Sequence, residues 1–356
     1  MVNMRACVHH SSREAYNMRN QATFESSLSK ILVIIALIAV MFAMVVPSAS
    51  AHTPLKPEHE NHTLETALEI PNPTKSWTLY RELHEANEPE YFKLQLKAGE
   101  RLKISLYLPT TADPMFLPTL IVIGSGITSD DILPEFIDIP QDAGFVVIQA
   151  QRPEKPEYEP FTPTSYFYLA DFDKEVQTDG TYYFAIYEST GEGRLGIAVG
   201  YKEEFTLVEW LRIPLDVIEI HQWEGQSLIF VIAPVLVTLV IGFTVIVWKF
   251  GLVRNARSVL GILAGLLYLG SGVMMLVQMI LALNGAVYNL LVILTIIFVL
   301  IPILLGVVII RKIGLNAKTA SLRDRIIILV LAALGLFSWS GLLIGPVLVL
   351  IYSILS

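Results

Sequence analysis

Four apolar runs close this chain, at residues 227–247, 258–283, 287–310 and 326–355, and none contains a Lys, Arg, Asp, Glu or His. At about 1.5 Å rise per residue, each is long enough as a helix to cross ~30 Å of hydrocarbon. The pattern predicts an all-α bundle of four transmembrane helices over residues 227–356. It also weighs against proton relays and ion-coupled carriers, which keep an ionisable side chain inside the membrane.

Ahead of the bundle the composition changes. Residues 52–226 carry 30 acidic side chains against 13 basic ones, a net charge of about −17, and are numerous enough to bury their own core. Nucleic acid is excluded as a partner, because it requires a basic surface. Residues 1–51 read as an export signal. Arg5, Arg13, Arg19 and Lys30 precede an apolar stretch at 31–46, and Ala49 and Ala51 supply the small residues of a cleavage site. Cys7, the only cysteine, lies ahead of that site, so disulfides and cysteine chemistry are not expected in the mature chain.

Loop charge predicts orientation. Lys249, Arg254 and Arg257 lie between the first two runs, and Arg311, Lys312, Lys318, Arg323 and Arg325 between the last two, while 284–286 is uncharged. By the positive-inside rule, loops 248–257 and 311–325 are cytoplasmic, and residues 52–226 and the C-terminus lie on the other side of a cell membrane. Pro234, Pro302 and Pro346 are expected to kink their helices. Gly261 and Gly265 mark a close helix–helix face, within the bundle or between copies.

Residues 76–202 change period. Short segments rich in Tyr, Phe, Val and Ile at 77–80, 91–96, 101–108, 120–123, 145–149, 166–169, 182–187 and 195–201 are separated by Gly, Pro and Asp clusters. About eight such strands predict an antiparallel sandwich. The Pro-rich stretch 152–163 reads as a surface loop. Asn61-His62-Thr63 is a glycosylation sequon.

Glu90-Tyr91-Phe92, then Lys97-Ala98-Gly99-Glu100-Arg101-Leu102, then Gly180-Thr181-Tyr182-Tyr183-Phe184-Ala185-Ile186 resemble the bacterial pre-peptidase C-terminal (PPC) domain. That resemblance covers roughly residues 62–201. It implies a jelly-roll-like β-sandwich used as an accessory module, some members binding calcium or matrix polymers. Glu88 and Glu90 stand where that family has aspartates. The whole layout is also similar to a group of uncharacterised membrane proteins. The shared features are Thr74-Lys75-Ser76-Trp77, Leu83-His84-Glu85-Ala86, Glu204-Phe205, Glu209-Trp210 and Ile220-His221-Gln222-Trp223-Glu224-Gly225-Gln226. This second resemblance implies fold and topology, not chemistry.

Residues 203–226 interleave apolar and charged side chains around Pro214 and read as an interfacial amphipathic collar, with Trp210 and Trp223 at the water–lipid boundary. The alternative is a binding groove there, with Trp210, His221, Trp223 and Glu224 as its residues. In the acidic leader, 52–75, His52, His59 and His62 fall close together and His84 follows. A mature N-terminal His52 with a second imidazole is a copper-type donor set. Asp130, Asp131, Asp138, Asp142, Asp171 and Asp173 are calcium candidates without the spacing of a known calcium loop. Gly124-Ser125-Gly126 is too short for a nucleophile elbow, and neither His-Glu pair has zinc-hydrolase spacing. The expectation is therefore not an enzyme. It is a multi-pass protein in the lipid bilayer, with a protein partner or a second copy of itself, whose exported sandwich binds or scaffolds. The alternatives are a copper- or other metal-handling membrane protein, and a subunit of a membrane transport or sensor complex.

Overall fold

The computed structural model describes residues 52–56, 60–251, 255–288, 290–315 and 322–355. The export-signal region and His59 lie outside the described residues.

Among the described residues eleven strands form two sheets: β1 (Thr53–Pro54), β2 (Leu68–Glu69), β3 (Trp77–Leu83), β4 (Glu90–Leu96), β5 (Arg101–Pro109), β6 (Thr119–Gly124), β7 (Gly144–Ile148), β8 (Glu157–Glu159), β9 (Thr164–Glu175), β10 (Gly180–Tyr187) and β11 (Gly193–Val199). The six-stranded sheet runs β1-β3-β11-β5-β9-β8 and the five-stranded sheet β2-β4-β10-β6-β7. Alternate residues meet between the sheets, with Leu79, Phe92, Leu94, Ile104, Leu106, Phe184 and Ile197 all sealed from solvent. Phe92 and Phe184 oppose each other across β4 and β10, and their rings stack at 4.6 Å. All eight anticipated strands are present. The three that sequence reading missed, β1, β2 and β8, are only two or three residues long and carry no readable period.

Both faces of the five-stranded sheet are buried. Leu133, Ile137 and Ile139 fold over its outer side onto Ile121, Ile123 and Ala185, and the Asp138 N–H donates to the Tyr91 hydroxyl at 2.8 Å. That is why β6 reads Thr-Leu-Ile-Val-Ile-Gly without alternation. The outer face of the six-stranded sheet is shaped by a bulge in β9. Leu106 pairs with Ala170 but Tyr107 pairs with Tyr168, so Leu169 is an extra residue. An extra residue inverts which face later side chains take. Phe172 and Ala170 point into the core beyond the bulge, whereas Leu169 and Phe167 do so before it, which sends Tyr166 and Tyr168 outward beside Tyr107.

Six α-helices follow: α1 (Leu207–Trp223), α2 (Leu228–Phe250), α3 (Ala256–Leu283), α4 (Val292–Ile309), α5 (Leu322–Phe337) and α6 (Ile344–Leu355), with one π-helical turn, Ile310–Gly314, extending α4. Among the described residues three helices are long and apolar enough to cross a membrane: α2, α3 and α4 with its π-helical turn. Gly265 and Gly306 bring α3 and α4 together, each facing the other's carbonyl oxygen. A Cβ at Gly265 would sit 2.8 Å from Gly306 O, and one at Gly306 2.6 Å from Gly265 O. Gly261 likewise faces Gly314. The glycine face is thus occupied within the bundle.

The fourth apolar run is not one helix. Trp339, Gly341, Leu342 and Leu343 have φ of +50°, +69°, +54° and +66°, a left-handed stretch that ends α5 and restarts the chain as α6. The two helices pack on each other, and cavities at Gly335 and Gly345 are both filled by the Tyr268 ring. In a continuous helix those glycines would be ~15 Å apart, beyond the reach of one ring. Tyr352, near the end of α6, lies within electrostatic reach of Asp324 and Arg257, which start α5 and α3. The run is a helical hairpin, and the C-terminal end returns to the side of the basic residues instead of the sandwich side. Pro346 falls in the first turn of α6, where no donor is missed, and so kinks nothing.

Replacing Gly265 by Ala forces α3 from α4 and should cost about 1–3 kcal/mol, read as a lowered thermal midpoint of the purified protein in detergent. An unchanged midpoint would contradict the close approach described.

Candidate functional site

The polar groups of the chain converge where α1 meets the six-stranded sheet and the bundle. At its start, Thr206 and Glu209 form a reciprocal capping box. Glu209 also takes both oxygens to Lys75 Nζ, at 2.7 and 2.9 Å. Pro214 lies inside the helix. Its missing N–H leaves the Trp210 carbonyl without a helical donor. The Trp339 indole N–H, from the turn between α5 and α6, donates to that oxygen at 2.9 Å, and the two indoles pack at 5.2 Å.

The C-terminal end of α1 carries the densest polar cluster. His221 and Glu224 are 1% and 7% exposed, and His221 Nδ1 lies 2.9 Å from Glu224 Oε2. The Thr164 hydroxyl, on β9, donates to Glu224 Oε1. Backbone carbonyls at this end are taken by the sandwich: Thr111 Oγ1 donates to Glu224 O at 2.8 Å and Arg194 Nη1 to Trp223 O at 2.9 Å. The Trp223 ring covers Tyr80 at 4.8 Å, and its indole N–H donates to Arg81 O at 3.2 Å. Tyr80, Tyr107 and Tyr166 complete the cluster, with Thr78 Oγ1 2.6 Å from the Tyr107 hydroxyl. Burial pushes all three phenols well above their usual range, and the Glu224 charge adds to this. They act as neutral phenols.

Gly225, at φ +101°, turns the chain sharply from α1 into α2. The next residue, Gln226, exchanges amide hydrogen bonds with Gln278 of α3 at 2.9 and 2.8 Å. A second docking point comes from the Pro-rich stretch expected to be a surface loop. Its Tyr158 is buried and donates to Thr295 Oγ1 of α4 at 2.7 Å, and that hydroxyl donates to Pro160 O at 2.9 Å. Val287 N–H donates to Pro156 O at 2.9 Å, and Ser165 Oγ to Ala282 O at 2.7 Å.

Of the groove residues, the structure brings His221, Trp223 and Glu224 together and closes the space around them. Trp210 lies thirteen residues back along α1, ~20 Å away. Both tryptophans pack on protein, Trp223 on Tyr80 and Trp210 on Trp339, and both are half-buried. The functional residues that sequence reading missed are Thr164, Tyr166, Tyr158, Thr295 and Lys75. Only the bulge, which the sequence does not signal, turns Tyr166 to this side.

Of the described histidines, His52 and His84 stand at opposite ends of β3. His52 Nδ1 contacts Ser76 Oγ at 2.5 Å, and β1 pairs with β3 so that Thr53 opposes Trp77. His84 follows the far end of β3, ~26 Å along the strand from His52. His62 Nδ1 is 3.2 Å from Pro89 O and 3.6 Å from Glu88 Oε1. Among the described residues no three His, Cys, Asp or Glu side chains are grouped to hold a metal. Several calcium candidates are engaged elsewhere: Asp131 accepts from Val147 N–H, Asp171 from Ser105, and Asp173 pairs with Arg101. Asn61 of the sequon is fully buried, with Nδ2 bonded to Tyr91 O at 2.8 Å, so the folded chain does not present it for glycosylation.

No protein-family model matches the chain, and no curated protein sequence is similar to it. The solved structures that match include the following two. The pre-peptidase C-terminal domain of collagenase from Bacillus anthracis matches at 14% identity and TM-score 0.21, over 42% of this chain and 99% of that one. CorA, a surface-associated copper-binding protein of Methylomicrobium album BG8, matches at 9% identity and TM-score 0.21, over 38% and 98%.

Two groups beside the junction titrate in opposite senses. Burial pushes the Glu159 carboxyl up to about 7, with the Phe161 N–H opposing and the Glu203 charge adding. The folded chain keeps this proton where the unfolded chain, near 4.5, has lost it, so stability falls as pH rises through that window. Burial, then Lys103, pushes His52 down to about 4, so its contribution falls as pH drops from 6.5 towards 4. Glu159→Gln should therefore raise the thermal midpoint at about pH 8 by a few degrees and leave it unchanged at about pH 4. Equal pH profiles for the two proteins would refute the assignment.

Proposed function

We propose that this chain is a membrane-anchored surface protein whose β-sandwich is a binding or scaffolding module, held by the helices in one orientation. The carrying observation is the junction itself. A sandwich that needed only a tether would be served by a flexible linker. Here the chain instead buries Glu224, His221, Tyr158 and Thr295 in a hydrogen-bonded seam at two separate points. Buried polar groups cost stability unless fully paired, so such a seam is kept for the geometry it imposes. The excess of Lys and Arg between the apolar helices supports an orientation with those loops cytoplasmic and the sandwich outside. The closed His221–Glu224 cluster, with its polar atoms turned to protein partners, also supports a structural role for the junction.

The partner is another protein or a second copy of the chain, met by the sandwich. Crosslinking of intact cells with a membrane-impermeant reagent, followed by purification in mild detergent, should give a stoichiometric product whose links map to residues 76–202. Links confined to the helices, or an uncrosslinked sandwich on intact cells, would overturn this reading.

A further inference from the structure

Both tryptophans of α1 are half-buried against protein, so most of the surface that the helix leaves exposed belongs to other residues. The helix presents three arcs. Glu209, Glu219 and Trp223 face the sandwich, through Lys75, Lys56 and Tyr80. Ile218 and Trp210 face the bundle, against Val231, Val235, Met274 and Trp339. Between them is a largely exposed arc. Leu207, Val208 and Leu215 are 72%, 73% and 57% exposed, and Leu211, half-buried, lies between them. At ~100° per residue these four fall within about 100° of one another, on the edge nearer the bundle. Arg212 and Glu219 follow at the edge nearer the sandwich, also exposed. Gln222, also exposed, falls on the same side at the C-terminal end, so the apolar part of the arc is confined to residues 207–215, with the charged edge beside the sandwich.

We infer that this arc is a lipid seat: Leu207, Val208, Leu211 and Leu215 lie in the boundary between headgroups and acyl chains of one monolayer. Five residues beyond the end of α1, the start of α2 is also exposed and apolar, at Leu228, Ile229 and Phe230, and it belongs to a helix long enough to cross a membrane. An amphipathic helix lying in the membrane plane buries its apolar side by about 5–10 Å at this boundary. The division of the arc matches the dielectric it would cross, with the charged edge on the watery side. Arg212 is already paired with Asp216 at 2.9 Å and Glu219 at 3.3 Å, so the seat needs no anionic lipid. Its occupant is the neutral monolayer itself, and it fixes the height of the sandwich above the bilayer. The inference rests on the membrane-anchored reading.

The test places a fluorophore at single cysteines, Leu207→Cys and Leu215→Cys, in the full-length Cys7→Ser protein in phosphatidylcholine nanodiscs. Val237→Cys, on the exposed side of α2, and Ile132→Cys, 90% exposed on the sandwich, are the references. Brominated phosphatidylcholine should quench labels at 207 and 215 at least about threefold more than at 132, and aqueous iodide at least about threefold less. Labels at 207 and 215 that behave like 132 overturn the seat, because the arc then faces water. Labels shielded from both quenchers also overturn it, because a protein then covers the arc. If Val237 escapes the brominated lipid, the membrane-anchored reading fails as well. If Val237 is quenched and 207 and 215 are not, only the seat fails.

Discussion

A carboxylate shut away from water must be met by donors or it destabilises the fold by several kcal/mol. Glu224 is such a carboxylate, and its donors come from different parts of the chain: Thr164 on β9 and His221 one helical turn back. His221 is supplied by α1 itself, but the Thr164 donor arrives only when the sheet is seated on α1 in one position. The Tyr80, Tyr107, Tyr166 and Trp223 rings then fill the space around the carboxylate and exclude water. The relation between sandwich and helices follows from this requirement, and with it the proposal that orientation is what the junction provides.

A comparable debt governs the other end of α1. Proline inside a helix removes one donor, and the orphaned Trp210 carbonyl is met by an indole from the distant turn of the α5–α6 hairpin. That turn holds three non-glycine residues at positive φ, each costing about 1–2 kcal/mol. It persists because its surroundings hold it. Trp339 reaches Trp210, the Gly341 N–H donates to Ser271 Oγ at 2.8 Å, and the Tyr268 ring fills the cleft between the two helices. Pinned at both ends by contacts of different kinds, α1 lies as a bar between sheet and bundle.

The fold was legible in outline because its signals are local. Alternating Tyr, Phe, Val and Ile between turn residues marks strands, and long uncharged runs mark apolar helices. Where a side chain met the other sheet or a neighbouring helix, the sequence carried no such mark. The bulge at Leu169 is one extra residue within an unbroken strand pattern. The stretch from Arg152 to Pro163 looks like a loop because its anchoring partners, Val287 and Thr295, are more than a hundred residues away. His221 and Glu224 could be singled out as polar residues beside apolar ones, but the Thr164 that completes them could not.

Composition and period by themselves determined that an acidic β-sandwich precedes an apolar helical bundle, because burial of a strand face or a helix surface is written in which residues repeat. Tertiary structure alone decided that the last apolar run folds back as a hairpin, that His52 and His84 stand at opposite ends of β3, and that a buried carboxylate joins sheet to helix. Those outcomes depend on which distant groups satisfy one another's hydrogen bonds and fill one another's cavities. No local pattern of residues encodes that choice.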